Sequence, residues 1–244
     1  MVTKHQIKLI KSLAQKKYRQ ELGLFVVEGV KGVNEFLNSN FKLHTLYTTQ
    51  PSFKVAQSLQ IEISETELKN ISNLKNPNIV LGIFEIQNPK PVNTNSLILA
   101  LDAVRDPGNL GTIIRLCDWY GIKDVVCTED TVDCFNPKVV QATMGSLSRV
   151  NVAYTHLEGF ISNYPNNSFG TFLQGENIYT AKLPNKGVLI LGNEANGISE
   201  AIALKTDRKL TIPQFNIDKV TESLNVATAT AICLSEFKRR SIEM

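Results

Sequence analysis

The chain has 244 residues, 43% hydrophobic and 20% charged, with a formal net charge of +3. That balance suits one large or two modest globular domains and excludes a disordered or fibrous chain. No run of about 18 apolar residues occurs, so no membrane span is expected. The basic stretch from Met1 to Gln20 lacks the apolar core of a secretory signal and reads as mature sequence.

Taken in order, residues 4–17 predict a helix with Ile7, Ile10 and Leu13 or Ala14 on one face and Lys4, Lys8 and Lys11 on another. Phe25–Val27 predicts a strand, the stretch through Val33, Phe36 and Leu37 a helix, Leu43–Thr48 a strand, 52–59 a helix and Ile79–Ile86 a strand. The Pro, Asn and Ser content of Asn88–Ser96 marks a linker, dividing the chain into domains 1–93 and 94–244. Beyond it, Leu97–Leu101 is a continuous apolar run of the kind buried on both faces of a parallel sheet. A helix over 109–120, strands at Val125–Cys127, Val150–Tyr154, Thr171–Leu173, Val188–Leu191 and Leu210–Ile212, and helices over 137–143 and roughly Leu224–Arg240 complete the pattern. Both domains therefore read as α/β, the second with a mostly parallel sheet.

The charge is uneven, with residues 1–93 carrying net +5 and residues 94–244 net −2. Either a polyanion docks on the front half, or surface lysines merely keep it in solution. Cys117, Cys127, Cys134 and Cys233 form no C-x-x-C pair, and His5, His44 and His156 are scattered. No metal site is expected, and free thiols in a reducing cytoplasm are.

Ligands of open α/β sheets bind beyond the carboxyl ends of strands, where three segments carry unusual turns. They are Asp102 to Arg115, Leu191 to Ser199, and Ile212-Pro213 continuing to Glu222–Thr228. Each has a plain structural alternative: Asn109 as a helix cap, Arg115 in solvent, Asn196-Gly197 as a tight turn, Ser223 as the cap of the last helix. A dinucleotide G-x-G-x-x-G, a P-loop and the glycine-rich first loop of ordinary Rossmann-like methyltransferases are all missing.

Together the three segments resemble the SpoU (TrmH-like) branch of the SPOUT RNA methyltransferases. The carriers are Asn109 with Arg115 six residues on, Gly192-Asn193-Glu194-Ala-Asn-Gly197, and Ile212-Pro213 followed by Ser223-Leu224-Asn225. Residues 17–29, from Lys17 through Arg19 to Glu28 and Gly29, resemble the family's accessory L30e-like RNA-binding domain. A structural alternative there is an ion pair between Arg19 and Glu28. The resemblance implies a C-terminal α/β-knot domain, its parallel sheet trefoil-knotted, after a small L30e-like α/β domain. It also implies a cytoplasmic homodimer and methyl transfer from S-adenosylmethionine to a ribose 2′-hydroxyl, with ribosomal RNA favoured over tRNA. A non-catalytic RNA-binding protein on the same scaffold is the rival.

By the same resemblance, Gly192, Asn193, Ile212, Leu224 and Asn225 hold the cofactor, and Arg115, Asn109, Glu194, Ser223 and Asn225 form the catalytic set. Lys16, Lys17, Arg19, Glu28 and Arg115 meet the RNA. Arg115 is either the base for the 2′-hydroxyl or, since a guanidinium stays protonated, a grip on phosphate that stabilises the alkoxide. The loop Phe215–Thr221 is longer than is usual in the family.

Overall fold

The computed structural model describes residues 1–165, 167–216 and 222–242. The chain divides into two compact units, one comprising residues 1–88 and 133–149, the other 89–132 and 150–244.

The first unit begins with α1 (Lys4–Ser12), opened by a capping box in which the Thr3 side chain accepts from the Gln6 N–H and the Gln6 side chain answers to the Thr3 backbone. The expected single helix over 4–17 stops here, and α2 (Lys16–Leu22) follows. The break exposes carbonyls that need donors. Arg19 supplies them, its Nη1 donating to Leu13 O at 2.9 Å and Ala14 O at 3.0 Å. Strand β1 (Leu24–Glu28), α3 (Val30–Leu37), β2 (Leu43–Thr48), β3 (Gln60–Glu62), α4 (Glu65–Ile71) and β4 (Val80–Glu85) complete the front of the chain.

Residues 52–59 form only a 3-10 turn at Gln57–Leu59. No side chain there is buried, so no apolar face stabilises a longer helix. Helix α4 replaces it a few residues on, opened by a Ser64–Glu67 capping box. The sheet order is β1-β4-β2-β3, antiparallel at β1–β4 and β4–β2 and parallel at β2–β3.

β1 is an edge strand, yet all five of its residues are buried. Segment 133–149, which carries α6 (Pro137–Thr143), accounts for this. The Phe135 ring lies 4.7 Å from that of Phe25, inside a cluster with Phe36, Phe41 and Phe84. The predicted boundary near residue 93 thus differs from the structure: the division falls at 88/89, and a piece of the expected C-terminal domain belongs to the first core.

The second unit is a six-stranded, wholly parallel sheet in the order β10-β8-β9-β5-β6-β7. Its strands are β5 (Leu97–Leu101), β6 (Asp124–Cys127), β7 (Asn151–Tyr154), β8 (Ser168–Asn177), β9 (Gly187–Leu191) and β10 (Arg208–Thr211). Its helices are α5 (Pro107–Trp119), α7 (Leu157–Ser162), α8 (Glu200–Ala203) and α9 (Val226–Ile242). Ile98, Ala100, Val126, Val188 and Ile190 bury against Leu157 and Ile161 of α7 and Ile202 of α8. The alternate residues turn to the other face, where α5 packs on α9 and Phe237 meets the Phe169 ring at 5.5 Å.

From β5 the chain proceeds through β6 toward β7, whereas from β9 it proceeds past β8 to β10. The direction of winding therefore reverses between β5 and β9, the place in such sheets where ligands bind beyond the carboxyl ends of the strands.

Candidate functional site

The loop after β5 carries the first motif into α5. Asp106 is the N-cap, its carboxylate accepting the Asn109 N–H at 2.8 Å, and Pro107 opens the first turn. Asn109 is thus not the cap, and its side-chain amide is left for other partners. Its Nδ2 donates to Glu194 Oε1 in the loop after β9, and its Oδ1 accepts from Asn225 Nδ2 at 2.9 Å.

Asn225 in turn begins the last helix. Its Oδ1 accepts the N–H groups of Ala227 at 2.9 Å and Thr228 at 3.3 Å. The capping role considered for Ser223 therefore belongs to Asn225. One chain of side-chain hydrogen bonds, Asn225 to Asn109 to Glu194, joins residues 85 and 116 positions apart.

The loop after β9 is closed on itself. Asn193 and Gly197 exchange two backbone hydrogen bonds of 2.9 and 2.8 Å, with Gly197 at φ 68°. The Asn193 Oδ1 accepts from Ala195 N at 2.9 Å and Asn196 N at 3.3 Å, and its Nδ2 donates to Ala103 O at 2.7 Å. A Cβ on Gly192 would lie 2.0 Å from Gly197 C and 2.2 Å from Ile198 N, so only glycine permits the loop to fold back this closely.

Ile212 follows β10 and is partly open, and Leu224, before α9, is exposed. Ser223 is also exposed, with no hydrogen bond among the described residues. Of the long loop, Ile217–Thr221 lie outside the described residues. Loops 192–199, 212–216 and 222–225 carry Glu194 and Glu222 and no lysine or arginine among these positions.

Arg115 lies on α5 six residues beyond Asn109, about 9 Å along the axis and about 240° around it. It is exposed, and no hydrogen bond or ion pair engages it among the described residues. Thr112, Arg115 and Trp119 form one exposed stripe, Trp119 being 84% accessible.

In the first unit, Lys16 and Lys17 are exposed on α2, but Arg19 and Glu28 are not available to RNA, which corrects that expectation. Arg19 is 1% exposed and, besides the two carbonyls, pairs with Asp133. Glu28 is buried and accepts from Ser72 Oγ and from Asn73 N at 2.9 Å. Neither pairs with the other, so the alternative ion pair fails as well. Burying such polar side chains is costly unless internal hydrogen-bond partners satisfy them, as they do here. Sequence inspection also assigned nothing to Asp102, although an acidic residue ending the apolar run Leu97–Leu101 stands out.

Residues 96–235 match the SpoU rRNA Methylase family, and residues 4–82 match an MRM3-like substrate binding domain. A 23S rRNA (guanosine(2553)-2′-O)-methyltransferase of Bacillus subtilis is 31% identical over 237 residues, covering 93% of each chain. Among solved structures, a TrmH-family chain from Porphyromonas gingivalis is 36% identical with a TM-score of 0.91, covering 98% of this chain and 99% of that one. An AdoMet-bound rRNA methyltransferase from Sinorhizobium meliloti is 33% identical with a TM-score of 0.88, covering 98% and 96%. With its three motifs beyond strand ends of one parallel sheet, joined by side-chain hydrogen bonds, and likeness along nearly its whole length, the chain belongs to the SpoU rRNA methylase family.

Proposed function

We propose that this protein methylates a ribose 2′-hydroxyl of ribosomal RNA, with S-adenosylmethionine as donor. The observation that carries the proposal is the hydrogen-bonded chain Asn225–Asn109–Glu194, which fastens all three motifs together at the reversal of the sheet.

The residues present fit the cofactor. The close fold at Gly192 turns the main chain of the second loop into a recognition surface, Ile212 and Leu224 offer apolar walls, and positions 192–199, 212–216 and 222–225 contribute the carboxylates of Glu194 and Glu222 and no lysine or arginine. That balance suits a sulfonium. When bound, the cofactor supplies an electrophilic methyl group for in-line displacement by oxygen.

The protein's task is then placement and charge. Asn109, held by Glu194 and Asn225, presents a fixed edge at the crevice. Arg115 grips an RNA phosphate through its guanidinium and stabilises the alkoxide as the 2′-hydroxyl proton departs to phosphate or water. Ser223 contacts the substrate or orients its neighbours. Lys16 and Lys17 of the first unit bind the RNA backbone.

The reading includes a cytoplasmic homodimer. Trp119, 84% exposed on α5, supports it, since an exposed tryptophan is the kind of side chain that a partner surface covers. It also includes the trefoil-knotted arrangement, supported by the insertion of β9 between β5 and β8.

The test is calorimetric titration with S-adenosylmethionine, followed by transfer of labelled methyl to ribosomal RNA and tRNA transcripts, with the product mapped as 2′-O-methyl. Binding with transfer to ribosomal RNA is expected. Absence of cofactor heat identifies a non-catalytic RNA binder, and transfer to tRNA alone reassigns the substrate.

A further inference from the structure

We propose that Asp102 is a positioning residue for the loop between β9 and α8, fixing the cofactor-binding conformation without touching the reacting atoms. The inference rests on the cofactor reading above. Asp102 is the first residue beyond β5, directly at the reversal of the sheet, and is only 5% exposed. Its N–H continues the ladder to Leu191 O at 2.9 Å. Its Oδ2 accepts the backbone N–H of Ser199 at 2.7 Å, at the exit of the loop. At the entrance, Asn193 Nδ2 donates to Ala103 O at 2.7 Å. Both ends of the loop are therefore fastened to two consecutive residues of the first motif.

The turn that makes this possible is unusual. Ala103 is left-handed at φ 55°, a region non-glycine residues rarely adopt. It is held from outside: Thr128 Oγ1 accepts the Ala103 N–H at 2.8 Å, and Val104 O accepts from Val132 N at 3.0 Å. Strained backbone persists where surrounding bonds over-determine it, and such positions cluster at functional sites. The twist aims Ala103 O at Asn193 while leaving the Asp102 carboxylate facing Ser199. A buried carboxylate gives a charge-assisted bond, stronger than a neutral acceptor would. A loop so fastened is preorganised before the cofactor arrives.

Three measurements test this. In cofactor-free protein, amide exchange in peptide 193–199 is expected to quicken in Asp102→Ala relative to wild type. In assays, Asp102→Ala is expected to raise the KM and Kd for S-adenosylmethionine at least about tenfold, with kcat at saturating cofactor little changed. Asp102→Asn, which keeps an acceptor oxygen, recovers most of the affinity. Ser199→Pro deletes the donor at a backbone φ of −59° that proline accepts, and reproduces the signature if Asp102→Ala does not fold. A folded Asp102→Ala or Ser199→Pro protein with wild-type exchange in 193–199 and wild-type KM overturns the proposal. If wild-type protein takes up no S-adenosylmethionine, the cofactor reading fails instead, and the exchange measurement still decides whether Asp102 holds the loop.

Discussion

Asn225 shows how few atoms this site spends on cohesion: one oxygen starts a helix and one nitrogen holds Asn109 in place. Arg115 is the opposite case, an exposed guanidinium with nothing nearby to satisfy it among the described residues. Arg115→Ala is accordingly expected to leave folding and cofactor heat unchanged and to lower turnover by about 10²–10³-fold, the scale of losing one charge-stabilising donor. An active variant removes Arg115 from the mechanism. Arg19 and the neighbouring lysines separate just as cleanly. Arg19→Ala strands the Asp133 carboxylate and the end of α1, and should cost about 3–5 kcal/mol in urea denaturation. Lys16→Ala with Lys17→Ala should leave the melting curve in place while weakening RNA binding and flattening its salt dependence. Position in sequence could not separate these roles, because Arg19 and Lys17 are two residues apart and only the return of segment 133–149 decides which is buried.

At the level of elements, strands were the most legible feature. Leu97–Leu101 and Leu43–Thr48 sit at their predicted bounds, since continuous or alternating apolar patterns have few other ways to be buried. Helix α6 was readable from Pro137 onward. What escaped were short helices whose signal is a cap rather than a period: α4 is announced by Ser64-Glu-Thr-Glu67, while 52–59 offered scattered apolar residues with nothing to pack on. The motifs were visible as residue types, but the bonds among Asn109, Glu194 and Asn225 depend on strand order, which no local pattern encodes. The loop at Gly192 makes a sharp prediction. Gly192→Ala drives a methyl into the Gly197 backbone, so the loop must open. A loss of about 1–3 kcal/mol in stability is expected together with abolished cofactor binding, measured by thermal shift and calorimetry.

For the whole molecule, the α5–α9 layer contains two thiols. Burial, aided by the adjacent Asp118, holds Cys117 well above the ordinary thiol value of 9.0, and burial pushes Cys233 up to about 12. Because the folded pKa values are raised, their contribution to stability is complete below the unfolded value and is lost as pH climbs from 9 toward the folded values. Denaturation midpoints should therefore fall above about pH 9, and less steeply when both cysteines are replaced by alanine. Near pH 8, iodoacetamide should modify neither thiol until the protein opens, as followed by peptide mass spectrometry. Rapid labelling of folded protein would contradict the packing described.

The covering of β1 by residues 133–149 has a practical corollary. The chain passes between its two cores three times, at 88/89, 132/133 and 149/150, so the amino-terminal core cannot be cut out as one contiguous piece. A fragment ending at Asn88 would lack the carboxylate that neutralises Arg19 and the ring that closes over Phe25, and should be soluble only poorly or as an associated species. Supplying a synthetic 133–149 peptide should restore a cooperative melt to it, by fragment complementation.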